Sequence, residues 1–445
     1  MKNLIRSVTG SHPLLTCLVL LVVLRPAIGL AKSIIPSSSA SFSIQKIQTI
    51  WDEHGIASLV SVGESSMYIA GSKRGQLRMF DFDGGSLKHI GKILNEESSS
   101  GVNPKKSTVP YPIYSLLHHC HNDRQYIFAG SGDRYINVWF STRISDTAVA
   151  SWSLQQRLGP HTGWVKALAM DTTTHQLYSI GCNCIETWTL DSTIDNSLHW
   201  KHHQKTRSVE SSPDQGSTLS SDLLCLGIWN TNKRRPTILV TGGVDGRFHI
   251  WDSISPNPLR STTTVHNGRV SALEIVPFAD ANDDDGKSGT PHNASESCLI
   301  VSVGYDGMLQ CRRLNVLFET RCNEEATIQA LDLFKIGCVL VGNDDENEGP
   351  TNRLTAMECT RVSANLVRVC LGSTSGTLYR MSISTTNDWK SACLTNSDTE
   401  PMCVVGQGKP MIYAIATISS SADDTMAIVG HSQGLSTVNC QLGDL

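Results

Sequence analysis

Residues 238–252 read ILVTGGVDGRFHIWD, and this run decides the fold. Ile238–Thr241 and Phe248–Trp251 are two runs of strand-forming residues, and between them Val244-Asp245-Gly246 makes a tight polar turn. Gly supplies positive φ and Asp caps the backbone, which is what a hairpin turn demands. Val, Ile, Phe and Trp on both sides suit a pleated, buried surface. The unit recurs as YIAGSKRGQLRMFD (68–81), YIFAGSGDRYINVWF (126–140), LYSIGCNCIETWTL (177–190), LIVSVGYDGMLQCRRL (299–314), VRVCLGSTSGTLYRMS (367–382) and AIVGHSQGLSTVN (427–439).

A shorter apolar strand precedes each hairpin. Three copies open on a His and a tight turn: HGIASLVS (54–61), HTGWVKALAM (161–170) and HNGRVSALEI (266–275). The others are IYSLL (113–117), LLCLG (223–227), TIQALDLF (327–334) and IYAIA (412–416). Repeated units of this kind cannot bury both faces alone and stack on their neighbours, so repetition fixes the architecture.

These units resemble those of WD-repeat proteins. Trp139, Trp188 and Trp251-Asp252 stand where that family's Trp-Asp ends its third strand, and the resemblance covers almost all of residues 52–445. It implies an all-β propeller of about seven four-stranded blades. Strand signals at both Cys338–Val341 and Val367–Leu371 leave room for an eighth. The turns at Gly75, Arg134, Gly246, Gly307, Gly376 and Gly434 recur about every 60 residues, longer than the usual 40–45. Polar insertions near 279–297 and 343–352 account for part of the excess, because their composition builds no core. The last hairpin ends close to Leu445, one strand short of a blade. Ser43–Ile50, SIQKIQTI, is the expected donor, closing the ring at residues 43–445.

The resemblance also implies a buried relay of His, strand Ser or Thr, turn Asp and Trp in each blade. The candidates are Asp133 and Trp139 in blade two, His161, Ser179 and Trp188 in blade three, and Thr241, Asp245 and Trp251 in blade four. Blade five offers His266, Ser302 and Asp306, with Arg312 in the Trp position. No blade has all four. A Ser/His/Asp set that repeats blade by blade reads as architecture, since a catalytic triad is defined by geometry rather than residue type. No catalytic residue, cofactor site or metal site is assigned. His118-His119-Cys120-His121 are adjacent, and neighbours on a strand point in different directions. Cys182 and Cys184 lack the second ligand pair that structural zinc needs. No glycine turn leads into a helix that would cradle phosphate.

Charge narrows the partners. Residues 1–51 carry five basic residues and no acid, so 52–445 hold 32 basic against 41 acidic, net −9. That sign offers no footprint for a phosphate backbone, so direct nucleic-acid binding is not expected. Lys2 and Arg6 precede the apolar run LLTCLVLLVVL (14–24), followed by Ala27, Gly29 and Ala31 at small-x-small spacing. Residues 1–31 therefore read as a signal-peptide-like presequence, too short for a comfortable membrane span. Residues 32–42 are Ser-rich and transit-like. Together they resemble the bipartite presequences of organisms with secondary plastids. Thirteen cysteines follow the presequence, an odd number spread through apolar runs, which favours an organelle interior over a secreted or endomembrane-lumen address.

The functional expectation is a non-catalytic scaffold docking proteins or peptides on the propeller faces, with no membrane span in the mature chain. The alternatives are a nuclear or cytosolic subunit (a ubiquitin-ligase receptor or RNA-processing factor) and a hydrolase working at the central channel. The first lacks its motif, because Ser253-Ile254 follows Trp251-Asp252 where those receptors carry Trp-Asp-x-Arg. A fluorescent reporter fused behind residues 1–50 is expected to enter an organelle; secretion to the medium or a diffuse cytosolic signal would refute the plastid address.

Overall fold

The computed structural model describes residues 48–441 apart from intervals between strands, the longest being 94–110, 208–221, 279–292 and 342–352. The presequence and linker, residues 1–42, fall outside the described residues, as do Ser43–Ile47 of the expected closing strand. Every regular element among the described residues is a strand.

The strands form seven antiparallel sheets. Blade one holds β2 (Ile56–Ser61), β3 (Met67–Ser72), β4 (Leu77–Asp83) and β5 (Ser86–Ile93), with β1 (Gln48–Trp51) preceding it in the chain. Blade two holds β6 (Ile113–His121), β7 (Arg124–Ser131), β8 (Ile136–Thr142) and β9 (Ser153–Leu158). Blade three holds β10 (Val165–Asp171), β11 (Gln176–Gly181), β12 (Cys184–Asp191) and β13 (His199–Arg207). Blade four holds β14 (Leu223–Trp229), β15 (Ile238–Gly243), β16 (Phe248–Asp252) and β17 (Arg260–Ser261). Blade five holds β18 (Val270–Pro277), β19 (Asn293–Gly304), β20 (Met308–Glu319) and β21 (Thr327–Leu340). Blade six holds β22 (Leu354–Ser363), β23 (Leu366–Ser373) and β24 (Thr377–Thr385), whose outer edge is shared by β25 (Ala392–Leu394) and β26 (Glu400–Val404). Blade seven holds β27 (Ile412–Ser419), β28 (Asp424–His431) and β29 (Gly434–Gln441), completed by β1.

The first strands touch one another in chain order, and β27 touches β2, so the ring is closed around a central axis. Its core is not one mass but seven. Each apolar cluster lies between two consecutive blades, including Ile56, Tyr68, Phe80 and Leu87 of blade one against Ala416, Ile428 and Leu435 of blade seven. A middle strand is therefore buried on both sides, and alternate residues serve alternate neighbours. In β15, Ile238 and Val240 face blade five while Leu239 faces blade three. In β19, Cys298 and Ile300 face blade four while Leu299, Val301 and Val303 face blade six. This explains why the second strand of each blade, the first of its hairpin, reads as a nearly unbroken apolar run rather than an alternating one.

The hairpin turns adopt the predicted backbone. φ is +72° at Gly75, +73° at Gly246, +72° at Gly307 and +76° at Gly376. Arg134 takes +74° in blade two, and Cys182 takes +57° in the shorter turn of blade three. These two are L side chains in the left-handed region, where a glycine would sit without steric cost.

Four expectations change or sharpen. Seven blades are present, because the strand signal at Cys338–Val341 is the end of β21, the outer strand of blade five. TIQALDLF (327–334) is likewise the start of β21 and not an inner strand; β22 (LTAMECTRVS) fills that position in blade six. Its Glu358, Thr360 and Arg361 hid it among polar sequence. The polar insertion 279–297 ends sooner than its composition suggests, since Asn293–Ser297 extend β19 and pair with Glu319–Asn315. The closing strand is Gln48–Trp51, antiparallel to β29, with Gln48 opposite Thr437 and Trp51 opposite Gly434.

A chain begun at Asp52 should melt well below one begun at Ser43 and be cut faster by protease, because β29 then becomes an open edge. Equal cooperative melts would place the closure elsewhere.

Candidate functional site

Each inner strand begins opposite the end of the second strand: Ile56 pairs with Ser72, Ile113 with Ser131, Val270 with Gly304 and Ile412 with His431. The segments entering the inner strands and the turns between second and third strands thus share one face of the disc. Inner strands finish, and turn into second strands, on the other face. Two kinds of side chain concentrate on the entry face: buried polar relays and exposed aromatic–cation pairs.

The relays hang on one register position. Ser179, Thr241 and Ser302 sit opposite Glu186, His249 and Gln310 of their third strands. In blade three the His161 Nδ1 lies 3.2 Å from the Arg134 carbonyl, and its Nε2 is 2.8 Å from Ser179 Oγ. The Trp188 indole N–H donates to the same hydroxyl at 2.9 Å. Glu186 Oε2 stands 3.4 Å from His161 Nε2, a participant that sequence comparison of the turns did not single out. In blade four the Trp251 N–H donates to Thr241 Oγ1 at 3.0 Å. Asp245 lies 3.8 Å from His249 of the third strand, in a blade with no His on the incoming connection. In blade five Asp306 accepts from His266 Nδ1 at 3.0 Å, and His266 Nε2 meets Ser302 Oγ at 2.9 Å. Burial acts to raise the Asp306 carboxyl, but the His266 hydrogen bond and charge, with the Met308 and Asn267 N–H groups, hold it below the ordinary value.

Asp–His–Ser in that order has the polarity of a hydrolytic triad. Ser302 and His266 are fully enclosed, however, leaving the hydroxyl without an approach for substrate. What the three do is tie the connection from blade four to the turn of blade five. Removing the hydroxyl of Ser179 would leave two buried nitrogens without it, at about 1–3 kcal/mol each.

Blade two shows the converse. Ala129, opposite Asn137, occupies the register position of Thr241, and the buried Trp139 N–H accordingly finds no hydrogen-bond partner. Asp133 instead caps its own turn through the Tyr135 N–H and pairs with Arg157. Asp133 and Trp139 are therefore not brought together. Blade seven contains a tie that the sequence reading passed over: His431 Nε2 meets Ser436 Oγ at 2.9 Å across the turn. Burial pulls His431 down to about 4.

On the entry face Trp164 stacks on Tyr114, centroids 5.6 Å apart, and remains 54% exposed. Lys166 Nζ lies 3.5 Å from the centroid of Tyr114 and 4.6 Å from that of Trp164. Burial first, then the charge of Arg269, lowers Lys166 to about 8, with Asp222 opposing. Arg269 packs 3.5 Å over Tyr305, and Arg353 approaches the same ring at 5.3 Å. Lys73 donates to the Tyr413 hydroxyl and lies over its ring. Tyr111, also exposed, precedes β6 on this face. The mouth of the ring is therefore a set of aromatic plates with cations wedged between them, drawn from blades one, two, three, five, six and seven.

Two carboxylates lie deeper, on adjacent inner strands. Glu274 accepts from the Cys359 N–H at 2.8 Å. Burial raises it to about 7, and burial together with Glu274 raises Glu358 well above the ordinary range. None of the nine cysteines whose side chains are described forms a disulfide, and Cys184, Cys225, Cys298, Cys311 and Cys370 are buried.

No protein-family model matches the chain, and no curated protein matches it in sequence.

Because Glu274 is more basic folded than unfolded, its protonated form favours the fold. That contribution is complete below the unfolded value of 4.5 and is lost as pH rises through about 7. Glu274→Gln should raise the urea midpoint at about pH 8 and flatten its decline between about pH 5 and 8. An unchanged pH profile would mean the carboxyl is already solvated.

Proposed function

We propose that the chain is a non-catalytic propeller scaffold of WD-repeat type that holds an acidic peptide segment of a partner protein over the mouth of the ring. The observation that carries this reading is the Trp164–Tyr114 stack with Lys166 against it, within electrostatic reach of Arg269. Trp, Tyr and Arg are the residues that dominate interface energetics, because they combine a large rigid apolar area with a polar or charged handle. An exposed indole beside a partly desolvated ammonium suits a ligand that offers an aromatic or aliphatic side chain next to a carboxylate. Arg269 and Arg353 extend the same chemistry, since a guanidinium stacked on Tyr305 keeps its planar donors for a second carboxylate. The likeness of the repeats to WD-repeat proteins supports the scaffold role, and the buried relays supply the rigidity that a docking surface needs. The presequence and the unpaired cysteines support work inside an organelle, where the scaffold would help assemble or stabilise a complex.

Labelled peptides pairing Glu or Asp with a Phe or Leu should bind the full chain, measured by fluorescence polarisation, and weaken as salt rises. The double variant Trp164→Ala, Lys166→Glu should reduce binding at least tenfold without changing the melting temperature. Equal binding of basic peptides, or undiminished binding by the double variant, would refute the assignment.

A further inference from the structure

The opposite face carries a second, separate constellation. His119 and His121 lie two apart on β6, so strand alternation turns both rings to one side and sends His118 and Cys120 to the other. The turn between β10 and β11, in the next blade, brings His175 against them. The ring centroids are 4.4 Å apart for His121 and His175, 5.4 Å for His119 and His175, and 6.2 Å for His119 and His121. One nitrogen from each ring lies within 4.8 Å of the other two. His119 is 94% buried, at 6% exposure, yet its Nε2 has no hydrogen-bond partner, and neither has the enclosed Nδ1 of His175. Buried nitrogens left without partners are costly, and the two on His119 and His175 lie within a cluster of three imidazoles, which requires another explanation.

We infer that His119, His121 and His175 form a binding site for a divalent zinc ion that bridges blades two and three, with a fourth coordination position open to solvent. Zinc is the natural occupant of three neutral imidazoles, which it takes at about 2.0–2.1 Å with a remaining position for water or a partner's side chain. The nitrogens need to converge by about an ångström, within the reach of ring rotation on a strand edge and a turn. The site is supported from behind. The Asp171 carboxylate accepts from the Thr173 and Thr174 N–H groups and the Thr173 hydroxyl, fixing the turn that presents His175, and Thr237 of blade four donates to it as well. His175 is held at φ +54°, a conformation that a glycine would adopt more cheaply. Burial and mutual repulsion keep His119 and His121 deprotonated near neutral pH, the form a metal requires.

Titration of the full, metal-stripped chain with zinc chloride in a calorimeter should give one tight site per chain. Cobalt substitution should give the visible absorption of a tetrahedral centre. Added zinc should raise the melting temperature, and a chelator should reverse it. His175→Gly suits the left-handed backbone and so should fold at least as well as the parent without metal. It should nevertheless lose zinc affinity at least a hundredfold, while Cys120→Ser keeps it. No saturable zinc binding by the parent, equal binding by His175→Gly, or tight binding of copper with none of zinc would each overturn the assignment.

Discussion

The ring depends on a missing carbon. At the end of the second strand of most blades, one residue before the turn or at it, stands a glycine, and the first residue of the next inner strand fills the space its side chain would take. A Cβ on Gly71 would lie 2.8 Å from Ile113 Cγ2; one on Gly430 would lie 2.7 Å from Ile56 Cγ2. Gly130 meets Val165, Gly242 meets Val270 and Gly372 meets Ile412 in the same way. Contacts this short do not occur for real Cβ atoms, so an alanine there would push the blades apart. Ile56, Ile113, Val165, Leu223, Val270, Leu354 and Ile412 open the seven inner strands, and all are buried. This packing recurs at five of the seven junctions between blades, including the one where β27 meets β2.

Much of this was visible in the sequence because the glycine, the turn and the apolar run recur together, as in LVTGGVDG. Repetition compensates for weak single signals: Gly181 to Trp188 is a poor copy, yet it falls into place between better ones. The relays were legible only where every partner is local to the pattern. Thr241 and Trp251 were paired through the resemblance of their repeat to known ones, and both lie within that repeat. The isolation of Trp139 could not be read in this way, because it depends on Ala129, an unremarkable residue whose importance lies in what it fails to accept. Strand β22 was hidden because Glu358 and Thr360 break its apolar run, and their partners lie on neighbouring blades: Thr360 hydrogen-bonds Thr417 of β27, and Glu358 lies near Glu274 of β18. The histidine cluster was set aside on adjacency, a sound argument about His118 and His119 that does not reach His119 and His121. Its third member belongs to the next blade, and no local pattern carries that information.

Both candidate sites fall on one seam. Strand β6 begins beside the Tyr114 plate and ends at His121; β10 begins at Trp164 and Lys166 and turns at His175. The two faces of the disc are thus linked by the same pair of inner strands, separated by about five residues of β6, or roughly 17 Å. The strands are continuous across that distance, and the cluster of Phe128, Val138, Leu177 and Trp188 packs between their two blades.

The manner of closure gives the molecule a mechanical character. In an antiparallel pair, the incoming end of one strand lies beside the outgoing end of the other. Gln48, where the chain enters β1, sits opposite Thr437, and from there β29 runs on to Gln441, where it leaves. Tension between the two ends therefore loads the pairs one at a time, from Gln48 towards Trp51, like a zip rather than a lap joint. The seam with the fewest paired residues joining the first and last parts of the chain is also the one that tension reaches first. A pull on the ends therefore peels β1 from the edge of blade seven before it loads the apolar core that packs blade one against blade seven.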